Sequence, residues 1–266
     1  MRLGVLTSIE TRHRYFASRL SAAFDVVAVG YERVHYSPAR VDTGDLSASE
    51  AAIVEHHFAE RRRQEAIFFG PQSVTVACRM VREIGPGMLN TEETLQFLLS
   101  AGVDTVAVFG TNLVKTPLLD RWAGRMLNMH LGLSPYYRGA GTNFYPLLNE
   151  EPEYVGATIH LLDAGIDSGP IVGHARPSIE ATDQPHTLGC KAIAAGVERM
   201  IRALRTLEAG SLTTIPQWKP PIARLYLRKD YHPRQVVALY EKMENGLISR
   251  YVEQAVSDRP IVRLVE

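Results

Sequence analysis

Residues 2–30 read "RLGVLTSIETRHRYFASRLSAAFDVVAVG", and this stretch decides the fold class. Arg2–Thr7 is a short run of Leu, Gly and Val, of the length and composition of a buried strand. Residues 12–23 then put Tyr15, Phe16, Leu20 and Ala23 on the inner side of a helix, and Asp25–Gly30 returns to a valine-rich strand. Strand, helix, strand in immediate succession predicts a βαβ unit and therefore a parallel sheet.

The same rhythm resumes downstream. "TEETLQFLLSAG" predicts a Thr-capped helix closing on Gly102, "DTVAVFG" a buried strand ending at Gly110, and "TPLLDRW" a helical turn. "RMLNMH" is the next strand and "NFYPLLNEE" a short helix. "YVGATIHLL" and "GPIVGHARPSI" are two further strands separated by "DAGIDS", and residues 186–207 form an amphipathic helix. Before this block, 35–46 is polar loop, and residues 47–66 form a long helix with Ser47 as cap and Glu50 three residues on. "SVTVACRMV" fits strand or helix. His56, His57 and Arg61–Arg63 on the long helix are accounted for by a solvated face. After the Pro-rich "IPQWKPP" comes one more amphipathic helix, "PRQVVALYEKMENGLISRYVEQ". The expected architecture is α/β: a Rossmann-like open, mostly parallel sheet with helices on both faces, plus a short C-terminal extension. The domain boundaries are 1–210 for the catalytic unit and 211–266 for a helical extension.

Composition narrows the function. The chain has 266 residues, 45% hydrophobic and 22% charged, in the range of a globular protein. Lys+Arg and Asp+Glu are equal at 29 each, which argues against a long nucleic-acid footprint. Cys78 and Cys190 are too few and too far apart for a disulfide framework or a cysteine zinc site, and read as reduced thiols. No metal site is expected. The N-terminal apolar run is too short for a signal peptide, and no window approaches the roughly 20 apolar residues of a membrane span. A cytoplasmic protein is expected.

Chemistry concentrates around "NMHLGLSPYYRG", residues 128–139. Side chains at i and i+2 share a face of an extended strand, so Asn128 and His130 project together from a strand end. Asp167 sits between Gly165 and Gly169 in "DAGIDSGP", a loop able to fold a carboxylate back against a neighbouring strand end. An amide donor for a developing oxyanion, an imidazole near neutral pKa and a carboxylate to orient it and raise its pKa suit acyl transfer to an amine. Spacing alone equally allows a structural histidine and a turn-forming aspartate.

"GRMLNMHLGLSPYYRG", followed by "VGATIHLLDAGIDSGPIV", resembles the folate-dependent formyltransferase family. That family comprises glycinamide ribonucleotide, methionyl-tRNA and sugar-nucleotide N-formyltransferases. The similarity runs from about residue 103 to 207 and more faintly over 2–30, with several elements in order. The resemblance implies Asn128, His130 and Asp167 as catalytic residues and 10-formyltetrahydrofolate as formyl donor. It also implies a folate pocket between Asn112, Leu113 and Val114 on one side and Leu162, Asp163, Ala164, Gly165 and Ile166 on the other. The chain departs from the family in His130-Leu131-Gly132, where an "HPS"-like triplet is usual, and in "TSIETRHRYF", which lacks a Gly-rich phosphate loop. Residues 211–266 are too few for the barrel domain of the tRNA enzyme.

For the acceptor, Ser8, Thr11, Arg12 and His13 follow the first strand, where the crevice of an open sheet lies, and suit a phosphate or carboxylate. Tyr136, Tyr137 and Arg138 are candidates for the same pocket or for packing caps. By elimination the expected acceptor is a small-molecule amine, an amino-sugar nucleotide foremost, with no nucleic-acid or membrane partner; a homodimer is left open. The competing readings are a hydrolase releasing formate from formyl-folate and a non-catalytic folate- or nucleotide-binding module. A dinucleotide oxidoreductase is disfavoured, since no G-x-G-x-x-G follows the first strand.

Overall fold

Leu3, Val5 and Leu6 are fully buried on a strand covered on both faces, which is why the N-terminal run is apolar without alternation. This strand, β1 (Arg2–Ser8), lies in a seven-stranded sheet of order β3-β2-β1-β4-β5-β7-β8. The elements follow as α1 (Thr11–Ser21), β2 (Asp25–Glu32), α2 (Ala48–Phe69), β3 (Met80–Ile84), α3 (Glu92–Ser100) and β4 (Thr105–Phe109). Then come α4 (Leu118–Arg121), β5 (Met126–Leu131), β6 (Tyr137–Gly139), α5 (Tyr145–Leu148), β7 (Ala157–Leu161), β8 (Ile171–Ala175) and α6 (Pro185–Glu208). The chain closes with β9 (Arg224–Tyr226), α7 (Arg234–Glu244) and α8 (Leu247–Glu253). The computed structural model describes residues 1–33, 44–72, 75–254 and 256–266; most of the polar loop expected at 35–46 lies outside them.

Strands β3, β2, β1, β4 and β5 run parallel, as the βαβ reading requires, while β7 and β8 join antiparallel. The short glycine-bearing connection between β7 and β8 has no room for a crossover helix, so that edge must turn back on itself. Alternation along each strand feeds two cores. Leu3, Val5, Ala107, Phe109, Leu127 and Met129 face α1 and α6, whereas Leu6, Val106, Val108 and Met126 face α3 and Trp122. Chain order reverses between β1 and β4, which makes the crevice beyond their carboxyl ends the natural place for a ligand.

Three details differ from the sequence reading. Of "SVTVACRMV", residues 75–79 are irregular and Met80 and Val81 enter β3, while Ser73 and Val74 lie outside the described residues. The single C-terminal helix is two, because Gly246 adopts φ 78 between α7 and α8, a conformation glycine takes without steric cost. The C-terminal segment is not wholly helical: β9 pairs in parallel with β6, a bond between distant segments that local pattern cannot show. Among the described residues no helix is long and apolar enough to cross a membrane.

Candidate active site

Strand geometry sets the first half of the site. Leu127 and Met129 of β5 go into the core, so the intervening Asn128 and His130 emerge together on the other face. The antiparallel register places Asn128 opposite His160 of β7, and Asn128 Nδ2 donates to His160 Nε2 at 3.1 Å. His160 Nδ1 donates to the Leu161 carbonyl at 2.9 Å, which leaves Nε2 as the acceptor for the amide.

The loop after β7 supplies the second half. Asp163 accepts from the Gly165 N–H at 3.0 Å and from Ser168 Oγ at 2.8 Å, closing the turn on itself. Asp167 adopts φ 47, and Gln217 Nε2 anchors its carbonyl at 2.7 Å. Its carboxylate reaches back to the sheet. Oδ2 lies 3.3 Å from His130 Nδ1 and accepts from the Gly139 N–H at 2.9 Å. Oδ1 lies 3.5 Å from Asn128 Nδ2 and 3.6 Å from His160 Nε2. Asn128, His130 and Asp167 therefore meet, and His160 joins them. "GATIH" signals it, since Thr158 and His160 alternate onto one face of the strand, the sheet face that carries His130 and Asn128 opposite them.

Burial is the strongest influence on both titrating groups. It drives the His130 pKa down; the nearby Asp167 charge and the Tyr137 carbonyl pull it up but do not prevail. The expectation that Asp167 raises the His130 pKa is thus right for the pair and reversed in sum. Burial would lift the Asp167 carboxyl, yet the adjacent His130 ring, the contact with His160 and the Gly139 N–H hold it well below the usual carboxylate range. A neutral His130 faces a charged Asp167. His130 Nε2 donates to the Tyr137 carbonyl at 2.9 Å, so Nδ1 carries the lone pair and confronts the carboxylate. A proton arriving at Nδ1 would complete that contact.

The trio opens into a crevice of about 730 Å³ at the switch point of the sheet, of a size that suits a small-molecule site. One flank carries Leu113, Val114, Leu162 and Ile166, with Asn112, Asp163 and Gly165 beside them; Ala164 does not border the crevice. Asn112 is clamped: its N–H and its Nδ2 donate, each at 2.7 Å, to the two carboxylate oxygens of Glu32, which is 1% exposed. Gly110, at φ 71, precedes this loop, and a β-carbon there would run into the His13 ring.

Of the residues expected on the acceptor side, Ser8, Arg12 and His13 border the crevice and Thr11 does not. Ser8 Oγ donates to the Glu32 carbonyl, and Arg12 pairs with Glu65 at 2.5 Å. Tyr136, Tyr137 and Arg138 do not line the crevice. Both tyrosine rings pack in an aromatic cluster with Leu133, Tyr145 and Tyr154, because only the backbone of this turn faces the trio. Sequence reasoning missed Glu32, His186 and Tyr226, and its solvated face for α2 does not hold at His57, which is 7% exposed and borders the crevice. Among the described residues no group of three or more His, Cys, Asp or Glu could hold a metal ion.

Comparison with known proteins gives relatives in sequence and in fold. Methionyl-tRNA formyltransferase of Synechococcus sp. (strain JA-3-3Ab) is 36% identical over 135 residues, 50% of this chain and 41% of that protein. The enzyme of the same name from Caldanaerobacter subterraneus subsp. tengcongensis is 31% identical over 164 residues, 60% of this chain and 52% of that protein. The chain thus spans about half the length of these curated relatives or less. In fold it is similar to phosphoribosylglycinamide formyltransferase from Anaplasma phagocytophilum, with TM-score 0.57, 15% identity and coverage of 86% and 98% of the two chains. It is likewise similar to the formyltransferase PseJ from Anoxybacillus kamchatkensis in complex with UDP-4,6-dideoxy-4-formamido-L-AltNAc and tetrahydrofolate. There the TM-score is 0.51 and the identity 17%, with 97% and 95% of the chains covered. The formyl transferase family model matches residues 41–204, more than half of the 266 residues, and the chain belongs to that family.

Proposed function

We propose that the chain is an N-formyltransferase that moves a formyl group from 10-formyltetrahydrofolate to the primary amine of a small molecule. The observation that carries this reading is the meeting of Asn128, His130 and Asp167 at the rim of a switch-point crevice. The formyl donor is a substrate, and the flank of Leu113, Val114, Leu162 and Ile166 suits it: a flat pterin needs an apolar slot and a few fixed polar groups, here at Asn112 and Asp163. When bound, it supplies a formyl carbon open to attack by an amine.

Asn128 divides its amide protons between His160 and a long 3.5 Å contact to Asp167, so the second N–H is loosely held. Turned toward the formyl oxygen as charge gathers there, one such donor contributes about 3 kcal/mol. His130, neutral in its buried setting, takes at Nδ1 the proton shed by the attacking amine, directly or through a water. Asp167 steadies the imidazolium that results. The new carbon–nitrogen bond forms to the amine, the bond to the folate nitrogen breaks, and His130 returns the proton to that nitrogen. An amino-sugar nucleotide is the acceptor this reading favours, and the PseJ complex holds a formamido-sugar nucleotide, what formylation of such an amine would give.

The protein, given 10-formyltetrahydrofolate and a panel of primary amines including amino-sugar nucleotides, is expected to yield tetrahydrofolate and a formylated amine. His130→Ala is expected to lower turnover by about 10²–10⁴-fold. Formate released with no amine added assigns a hydrolase instead, and full turnover by His130→Ala removes the residue from the chemistry.

A further inference from the structure

The Pro-rich segment "IPQWKPP" after α6 brings one polar side chain to the site from outside the crevice. Ile215 exchanges two backbone hydrogen bonds with Ile171 of β8, each at 2.8 Å, which lays the segment along the sheet edge. Trp218 packs edge-on against Tyr136 and His174, with ring centroids 5.9 and 6.2 Å away, and the Arg263 guanidinium lies 4.3 Å from its ring centre. Gln217, fixed between these two points, turns to the Asp167 loop. Its Nε2 donates to the Asp167 carbonyl at 2.7 Å and to the Gly169 carbonyl at 3.0 Å. Only the NH2 end of an amide can serve two carbonyls, and Oε1 is buried with no partner among the described residues. A buried acceptor left unmatched costs stability, so it is the two donated bonds that this side chain contributes.

We propose that Gln217 is a positioning residue: by gripping the carbonyls of Asp167 and Gly169 together, it aims the Asp167 carboxylate at His130. The catalytic half of this assignment rests on the formyltransferase reading; the geometric half rests on the loop alone. At φ 47 Asp167 sits in the left-handed region, which an aspartate tolerates but which its surroundings must sustain. Gly169 is pressed so closely on β7 that a β-carbon there would run into the Leu161 carbonyl, so the turn has a fixed far end. Rotation of the Asp167 peptide would carry the carboxylate away from His130 Nδ1, now 3.3 Å off, and from the Gly139 N–H, now 2.9 Å off. Gln217 does not border the crevice and so acts through Asp167, not on a substrate. The folate side of the loop is tied separately, by Asp163 to the Gly165 N–H and to Ser168 Oγ. Loss of Gln217 therefore reaches the proton relay before the folate slot.

The test replaces Gln217 by methionine, which keeps the length and removes both donors. With formyl-folate and an amine acceptor, Gln217→Met is expected to lower kcat about 10- to 100-fold, the scale of a misplacement near 1 Å. KM for formyl-folate is expected to stay within about a factor of two. The acid limb of kcat/KM is expected to move to lower pH. Burial lowers the His130 pKa most, and His160 and Arg138 lower it further; the Asp167 charge and the Tyr137 carbonyl oppose them. With Asp167 withdrawn, the ring takes its proton only at lower pH. Gln217→Glu, which keeps the shape and sets an acceptor against two carbonyls, serves if Gln217→Met does not melt like the parent. An unchanged kcat in a natively melting variant overturns the proposal, as does a loss confined to KM or a lower kcat with an unmoved acid limb. A crystal structure of the variant separates this outcome from the reaction itself. In a protein that formylates no amine, an Asp167 carboxylate gone from His130 upholds the positioning role and removes the formyltransferase reading; a carboxylate still 3.3 Å away overturns the positioning role.

Discussion

His130 shows how much of a site one residue's place on a strand reveals. The i, i+2 pair of Asn128 and His130 was legible because strand geometry fixes which side chains share a face. Asp167 was legible because glycines on either side free its loop to turn back. Tyr136, Tyr137 and Arg138 were misleading for a related reason: the Tyr137 carbonyl and Gly139 N–H serve the trio, and sequence displays side chains, not the direction of backbone groups. Glu32 was invisible, since its partner Asn112 lies 80 residues away. Its clamp carries a prediction: Glu32→Ala frees the 110–114 loop and is expected to raise KM for formyl-folate about tenfold, the loss of one or two charge-assisted hydrogen bonds, with a smaller change in kcat. Steady-state kinetics at varied folate decides it; an unchanged KM would show that Asn112 needs no clamp.

At the level of elements, the helix starts were read more surely than the strands. Ser47 and Glu50 announce a capping box, and α2 has one: Ser47 Oγ accepts from the Glu50 N–H while Glu50 accepts from the Ser47 N–H at 2.8 Å. Thr91 signals the same for α3, yet its hydroxyl donates to the Met88 carbonyl at 2.8 Å and caps nothing, since the preceding turn competes for it. Ser47→Ala is therefore expected to cost about 1 kcal/mol in urea denaturation. A cost near zero would mean that α2 is fixed by its packing on α6 and α7 alone. The β6–β9 ribbon lay beyond sequence reasoning, since each strand has three residues and finds its partner only in the folded chain.

Across the whole molecule, buried imidazoles set the response to acid. His13, His57, His130, His174 and His186 all have lowered pKa values, with burial the main cause in each. An unfolded ring takes its proton near pH 6.5, whereas folded His174 and His186 do so only at about 4. Between those limits the unfolded chain binds more protons. Stability is then present above pH 6.5 and lost as the pH falls, at about 1.4 kcal/mol per ring per unit. Melting temperature measured from about pH 7 down to about pH 5 is expected to drop steadily, and a flat profile would contradict the burial of these rings. We propose that residues 211–266 are an integral backing to 1–210. Arg224 of β9 pairs with Glu151 at 2.7 Å, and its N–H donates to the Tyr136 carbonyl at 2.8 Å. Through β6 this ribbon holds the two backbone groups that touch His130 and Asp167. A chimaera that grafts a foreign tail after residue 210 would consequently inherit every reacting side chain and still lose catalytic alignment.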